Sequence, residues 1–198
     1  MDAARIRRSF PKAMLVSLSL LLGLVPSSWS RDRGPIFEVG PIAVHPAPPV
    51  ARELISWAVE RYEEAGLDLP PVDVYFHRGN EGCGGYLGTA VIGQIELCVR
   101  FAMEPGPQRI VLHELAHVWV ATKVPSPRQV AFLDLRGLSA WGSGVPWKER
   151  GREQAAEIIA WGLGDGSMLP MIEGDRHHEA LSEAFRFLTG VEPINGQA

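Results

Sequence analysis

The spacing of apolar and polar positions divides the chain into a helix, a group of strands and a run of helices. Leu54, Ile55, Ala58, Val59 and Tyr62 recur at helical intervals through residues 50–65, and Gly66 stands where such a helix stops. Val72-Asp73-Val74-Tyr75-Phe76 alternates and is β-branched and aromatic, which predicts a strand. Segments 86–91 and 94–101 predict a hairpin reversing near 90–93, with a Gly-rich loop over 79–85 ahead of it. From 107 to 123 apolar residues occupy most positions of a helix. It opens at Pro107, a residue suited to the first helical position, and ends at Lys123-Val124-Pro125. Helices over 127–136, 148–163 and 178–189 follow, with a looser segment at 139–146. Residues 31–49 are proline-rich and read as a stiff, extended lead-in with at most one short strand at 36–39. Helix, then strands, then helices is the order of an α+β fold.

The first thirty residues belong to a different category. Arg5, Arg7, Arg8 and Lys12 precede an apolar run over 13–25, and Ser28-Trp29-Ser30 ends in the small residues that a signal peptidase reads. The run is shorter than the roughly 20 residues that span a bilayer, so a signal peptide is expected rather than a stable membrane anchor. Arg7-Arg8-Ser9-Phe10-Pro11-Lys12 resembles a twin-arginine export signal. The expected organisation is a signal peptide at 1–30, the lead-in at 31–49, and one domain at 50–198, secreted to the cell exterior.

At 198 residues the chain is long enough for one substantial core. Loss of residues 1–30 removes four basic residues and Asp2, carrying the formal charge from −4 to −7. A mildly acidic domain without a basic stripe is a poor nucleic-acid binder, and none is expected as a partner. Cys83 and Cys98 flank the predicted reversal at similar distances and, in an exported protein, read as a disulfide tying the hairpin. Closing a loop of about 15 residues contributes around 3 kcal/mol.

The chemistry is concentrated in Arg109-Ile110-Val111-Leu112-His113-Glu114-Leu115-Ala116-His117-Val118-Trp119, which contains His-Glu-x-x-His. On a helix His113 and His117 project from one face, one turn apart, where two neutral imidazoles can hold a single divalent ion. Glu114 sits beside the first of them, within reach of a water on that ion. Two histidines and a glutamate in so apolar a helix are costly unless something satisfies them. A third protein ligand is required. Lys123 occupies the place where one familiar arrangement carries a third His, which excludes that version, and His177-His178 lies far downstream. Glu153 and Glu157 stand four apart on one helix face among Ala155, Ala156, Ile158, Ile159 and Trp161. The competing reading is a solvated face comprising Glu149, Arg150, Arg152 and Glu153.

His-Glu-x-x-His with a downstream helical glutamate resembles the gluzincins, whose downstream helix reads Glu-x-x-Ala-Asp-x-x-Ala in several branches. Glu153-Gln-Ala-Ala156-Glu157-Ile-Ile-Ala160 follows that pattern with Glu in place of Asp. The same helix is similar to that of small exported bacterial proteins known only as metallopeptidase-like. The resemblance covers about residues 107–163. It implies a zincin-like fold with a small antiparallel or mixed sheet, a hairpin leading into the active-site helix, and a helical C-terminal part. It also implies one zinc ion held by His113, His117 and Glu153, with Glu157 orienting a ligand histidine. The longer Glu157 side chain leaves those two roles exchangeable.

The expected activity is therefore that of a zinc metallopeptidase acting on a peptide or protein, with Glu114 as general base. Tyr86, His77, His177 and His178 are candidate stabilisers of the oxyanion. The strand over 94–101 is a candidate open edge onto which an extended peptide could add. Trp119, Trp141, Trp147 and Trp161 are read as core, with a cleft wall as the other option. Two other functions share the site: a non-catalytic, zinc-stabilised binding domain, and an amidase acting on a non-peptide or cell-wall amide.

Overall fold

The computed structural model describes residues 37–77, 81–98 and 106–195. The signal peptide and twin-arginine motif expected over residues 1–30 lie outside these residues, as does the end of the strand expected over 94–101. The elements are β1 (Phe37–Val39), β2 (Ile42–Val44), α1 (Pro49–Glu64), β3 (Val72–Phe76), β4 (Gly88–Val91), β5 (Gln94–Leu97), α2 (Pro107–Lys123), α3 (Ser126–Arg136), α4 (Gly151–Leu163) and α5 (His178–Thr189). Single 3-10 turns stand at Glu81–Cys83 and Trp147–Glu149. This is a mixed α+β architecture.

The strands form one five-stranded mixed sheet in the order β1-β2-β3-β5-β4. The central pairs, β2 with β3 and β3 with β5, are parallel, and the two outer pairs are antiparallel. Two expectations are corrected here. The lead-in carries two strands, not one at most, so residues assigned to it belong to the sheet. β2 escapes a sequence reading because three residues between Pro41 and Pro46 are too few to show alternation. The second correction concerns the free edge. β5 is hydrogen-bonded on both sides, so 94–97 is interior and β4 is the outermost strand. The β4–β5 hairpin reverses through Ile92-Gly93, and Gly93 takes a φ of +80° that side chains rarely adopt.

Alternation sorts the sheet into two faces. Ile42, Val44, Val72, Val74, Ile95 and Leu97 are buried in the core shared with α1 and α2. The other face is polar: His45 lies 2.7 Å from Asp73 and stacks on Tyr75 with ring centroids 3.9 Å apart. Cys83 and Cys98 are bonded to each other and join the turn before β4 to the residue after β5.

The helical side is built on α2 and α4, which are each other's principal packing partners. Every residue of α4 except Arg152 is buried, and α2 buries ten of its residues. Such helices have no solvated stripe and depend on neighbours on all sides. Arg61 of α1 donates to the carbonyls of Leu163 and Gly164, at 2.6 and 2.9 Å, and so caps the end of α4. The helix expected over 148–163 is divided. A 3-10 turn ends at Glu149, Arg150 is extended, and α4 begins at Gly151, which packs against Leu133 and Trp141. Among the described residues no helix is long and apolar enough to cross a membrane.

Gly162 gives the sharpest packing test. A Cβ there would lie 2.2–3.0 Å from three atoms of the Phe185 ring, which is fully buried on α5. Glycine-to-alanine in an open helix gains about 1 kcal/mol of propensity. Here overpacking should outweigh that gain, and Gly162→Ala is expected to lower stability by about 1–3 kcal/mol. Thermal unfolding would show a loss of several degrees; an unchanged or raised Tm would refute the packing argument.

Candidate metal centre

Two helices bring the chemistry together. α2 presents His113 and His117 from consecutive turns, with ring centroids 4.6 Å apart and ring planes nearly perpendicular. α4 faces them with Glu153, whose Oε2 lies 3.0 Å from His117 Nε2 and 3.4 Å from His113 Nε2. One ligand atom from each residue falls within 4.8 Å of the other two, and the group could hold a metal ion. The two imidazole nitrogens converge on a single carboxylate oxygen. A cation at that point could accept a lone pair from each of the three groups.

Glu157 has another position. Its Oε1 lies 2.9 Å from His113 Nδ1, the ring nitrogen turned away from Glu153, and pairs with the Arg109 guanidinium. Its Oε2 accepts from the Met171 backbone N–H at 2.7 Å. The carboxylate beside Nδ1 pairs electrostatically with the ring, and Nε2 is left facing Glu153. The geometry places the two glutamates differently: Glu153 faces the convergence point and Glu157 stands behind one ring. α4 produces both positions because residues four apart lie on one helical face.

These groups hold charge out of water, and the protonation states show it. Burial pulls His113 down, but the adjacent Glu153 and Glu157 carboxylates outweigh it and push the imidazole up to about 9. Burial raises Glu153, yet its contacts with His113 and His117 hold it well below the usual carboxylate range. Glu157 behaves alike, with His113 and Arg109 taking it down to about 2 against the same burial. Burial lowers His117.

Glu114 differs from all of them. Its side chain is 6% exposed and makes no hydrogen bond or ion pair among the described residues. Burial pushes its carboxyl up to about 7. It borders a cleft of about 810 Å³ whose lining includes His113, His117, Glu153, Trp141, Trp147 and β4. Trp147 lies nearly parallel to the His113 ring, with centroids 6.0 Å apart. The tryptophans divide: Trp119 and Trp161 are buried in the core, Trp141 packs against the core while also lining the cleft, and the core expectation fails for Trp147, which lines the cleft.

The remaining candidates separate by place. Tyr86 lines the cleft and is largely exposed. His77 pairs with Glu96, outside the cleft lining. His178 packs edge-on against Trp161 and beside Ser182, and neither it nor His177 reaches the cleft. Residues 37–49 of the lead-in contribute nothing to its lining. Sequence reasoning missed Arg109, the partner of Glu157, and Arg152, whose Nε lies 2.9 Å from Glu153 Oε1. Arg109 is one turn before His113, a spacing that could have marked it as reaching the same α4 face. Compared with models of protein families, with curated proteins and with solved structures, the chain matches none.

Titration of the purified protein with a divalent cation, followed by elemental analysis, should show about one ion per chain. His117→Ala and Glu153→Ala should abolish that uptake, whereas Glu157→Ala should weaken it by about 10–100-fold. Equal loss on Glu153→Ala and Glu157→Ala would contradict the separate positions described for them.

Proposed function

We propose that the protein is an exported zinc-dependent peptidase of zincin-like fold, cleaving peptide bonds in the cleft between β4 and the α2–α4 pair. The observation that carries this reading is Glu114, a buried carboxylate with no hydrogen bond or ion pair among the described residues, bordering the cleft next to the His113–His117 pair. Such a group costs several kcal/mol wherever it serves only the fold. A mobile proton on a bound water gives it a purpose. The open cleft also fits a catalytic rather than a closed structural site.

His113 Nε2, His117 Nε2 and a Glu153 oxygen would hold the ion, a donor set that suits zinc. When bound, zinc would supply Lewis acidity to the scissile carbonyl and acidify an attacking water. Glu114 would take the proton from that water and return it to the leaving amine, a role that its place on the cleft beside the His113–His117 pair suits. Glu157, anchored by Arg109 and the Met171 N–H, keeps the His113 ring in register. Tyr86 and Arg152 are among the donors bordering the cleft, and we assign to them the developing negative charge on the carbonyl oxygen. As the outermost strand beside the cleft, β4 is the edge to which an extended substrate would add. The Cys83–Cys98 disulfide is compatible with export.

Glu114→Gln should leave metal uptake intact and lower hydrolysis of a peptide library by about 10²–10⁴-fold. Mass spectrometry of library digests, run beside elemental analysis, reads both. Turnover within a few-fold of the parent, with the ion in place, would end this reading.

A further inference from the structure

We infer that Gly88 is a positioning residue for Glu114, holding the carboxylate in place by leaving it room; the inference rests on the hydrolase reading above. An ideal Cβ at residue 88 would lie 2.6 Å from Glu114 Cγ, 2.6 Å from Oε1 and 2.8 Å from Cδ. Real Cβ atoms do not approach so closely, so a side chain at 88 and the present Glu114 conformation exclude each other. Swinging the carboxylate aside would not relieve the contact, because Cγ is among the atoms struck. Gly88 is also absent from the glycines with positive φ. Its glycine is therefore there for space and not for backbone freedom.

The backbone on the other side of the contact has little capacity to retreat. Gly88 is registered opposite Leu97, and the carbonyl of Leu87 accepts the Cys98 N–H at 2.9 Å. Cys98 is in turn bonded to Cys83. The β4 end nearest Glu114 is thus tied to β5 and, through the disulfide, to the preceding turn. Among the described residues Glu114 has no hydrogen-bond partner to define its rotamer, so the wall that β4 forms at Gly88 limits where its carboxylate can stand. A group that must meet one water proton tolerates little misplacement, and an error of about 1 Å can cost on the order of 10²-fold in rate.

The contact can be measured without activity and without metal. In the metal-free full chain, Gly88→Ala should lower the Tm by several degrees, and the same change in a Glu114→Ala background should cost little or nothing. If Gly88→Ala alone fails to fold while the double variant folds, the coupling is shown in stronger form. Equal penalties in both backgrounds, or failure of both to fold, would overturn the inference. On peptide substrate, fully metal-loaded Gly88→Ala should lose about 10²-fold in kcat with KM within a few-fold. A kcat within two-fold of the parent would overturn the positioning role and leave the peptidase reading standing. A parent that cleaves nothing in the library would remove both, whatever the melting temperatures show.

Discussion

The structure depends on how the interface between α2 and α4 accommodates charge. Three carboxylates and two imidazoles occupy the contact between two helices that are otherwise almost wholly apolar. In water these groups would be solvated separately; here each must be compensated by another or by an ion. Glu157 is compensated by Arg109, the Met171 N–H and the back of His113. Glu153 meets Arg152 through Oε1 and the two imidazole nitrogens through Oε2, where a cation could also be held. The rest of the fold presses this arrangement together. α1 caps α4 through Arg61, α5 packs its Phe185 ring onto Gly162, and the sheet lays β4 along the cleft beside α2.

Part of this was legible in the sequence, for physical reasons. α2 and α5 carry strong boundary signals, Pro107 and Lys123 for one and the Leu181, Phe185 and Leu188 face for the other, and both run where the pattern places them. β3 alternates over five residues and is found over those residues. β2 is three residues long between prolines, below the length at which period two can be seen. Sheet order was not legible at all. Strand pairing is decided by long-range burial, and nothing local distinguishes an interior β5 from an edge β5.

At the site, the His113–His117 pair follows directly from helical geometry. The distinction between Glu153 and Glu157 does not, because both lie on the same face and only the depth of the facing helix separates them. Arg109 was passed over because a lone arginine in the first turns of a helix usually reads as solvated. Its meaning appears only when Glu157 is seen opposite. Gly88 was invisible for a similar reason: a glycine in a strand suggests a bulge or a weak pairing, and here it marks the close approach of a side chain from another element.

The central claim is that His113, His117 and Glu153 form one cation site with a position left open toward the cleft. Diffraction from zinc-soaked crystals, with anomalous scattering locating the metal, tests it most directly. The account predicts one strong peak about 2 Å from the two Nε2 atoms and a Glu153 oxygen, with solvent completing the coordination and Glu157 remaining on His113 Nδ1. A metal peak elsewhere, or none between α2 and α4 at saturating zinc, would contradict it.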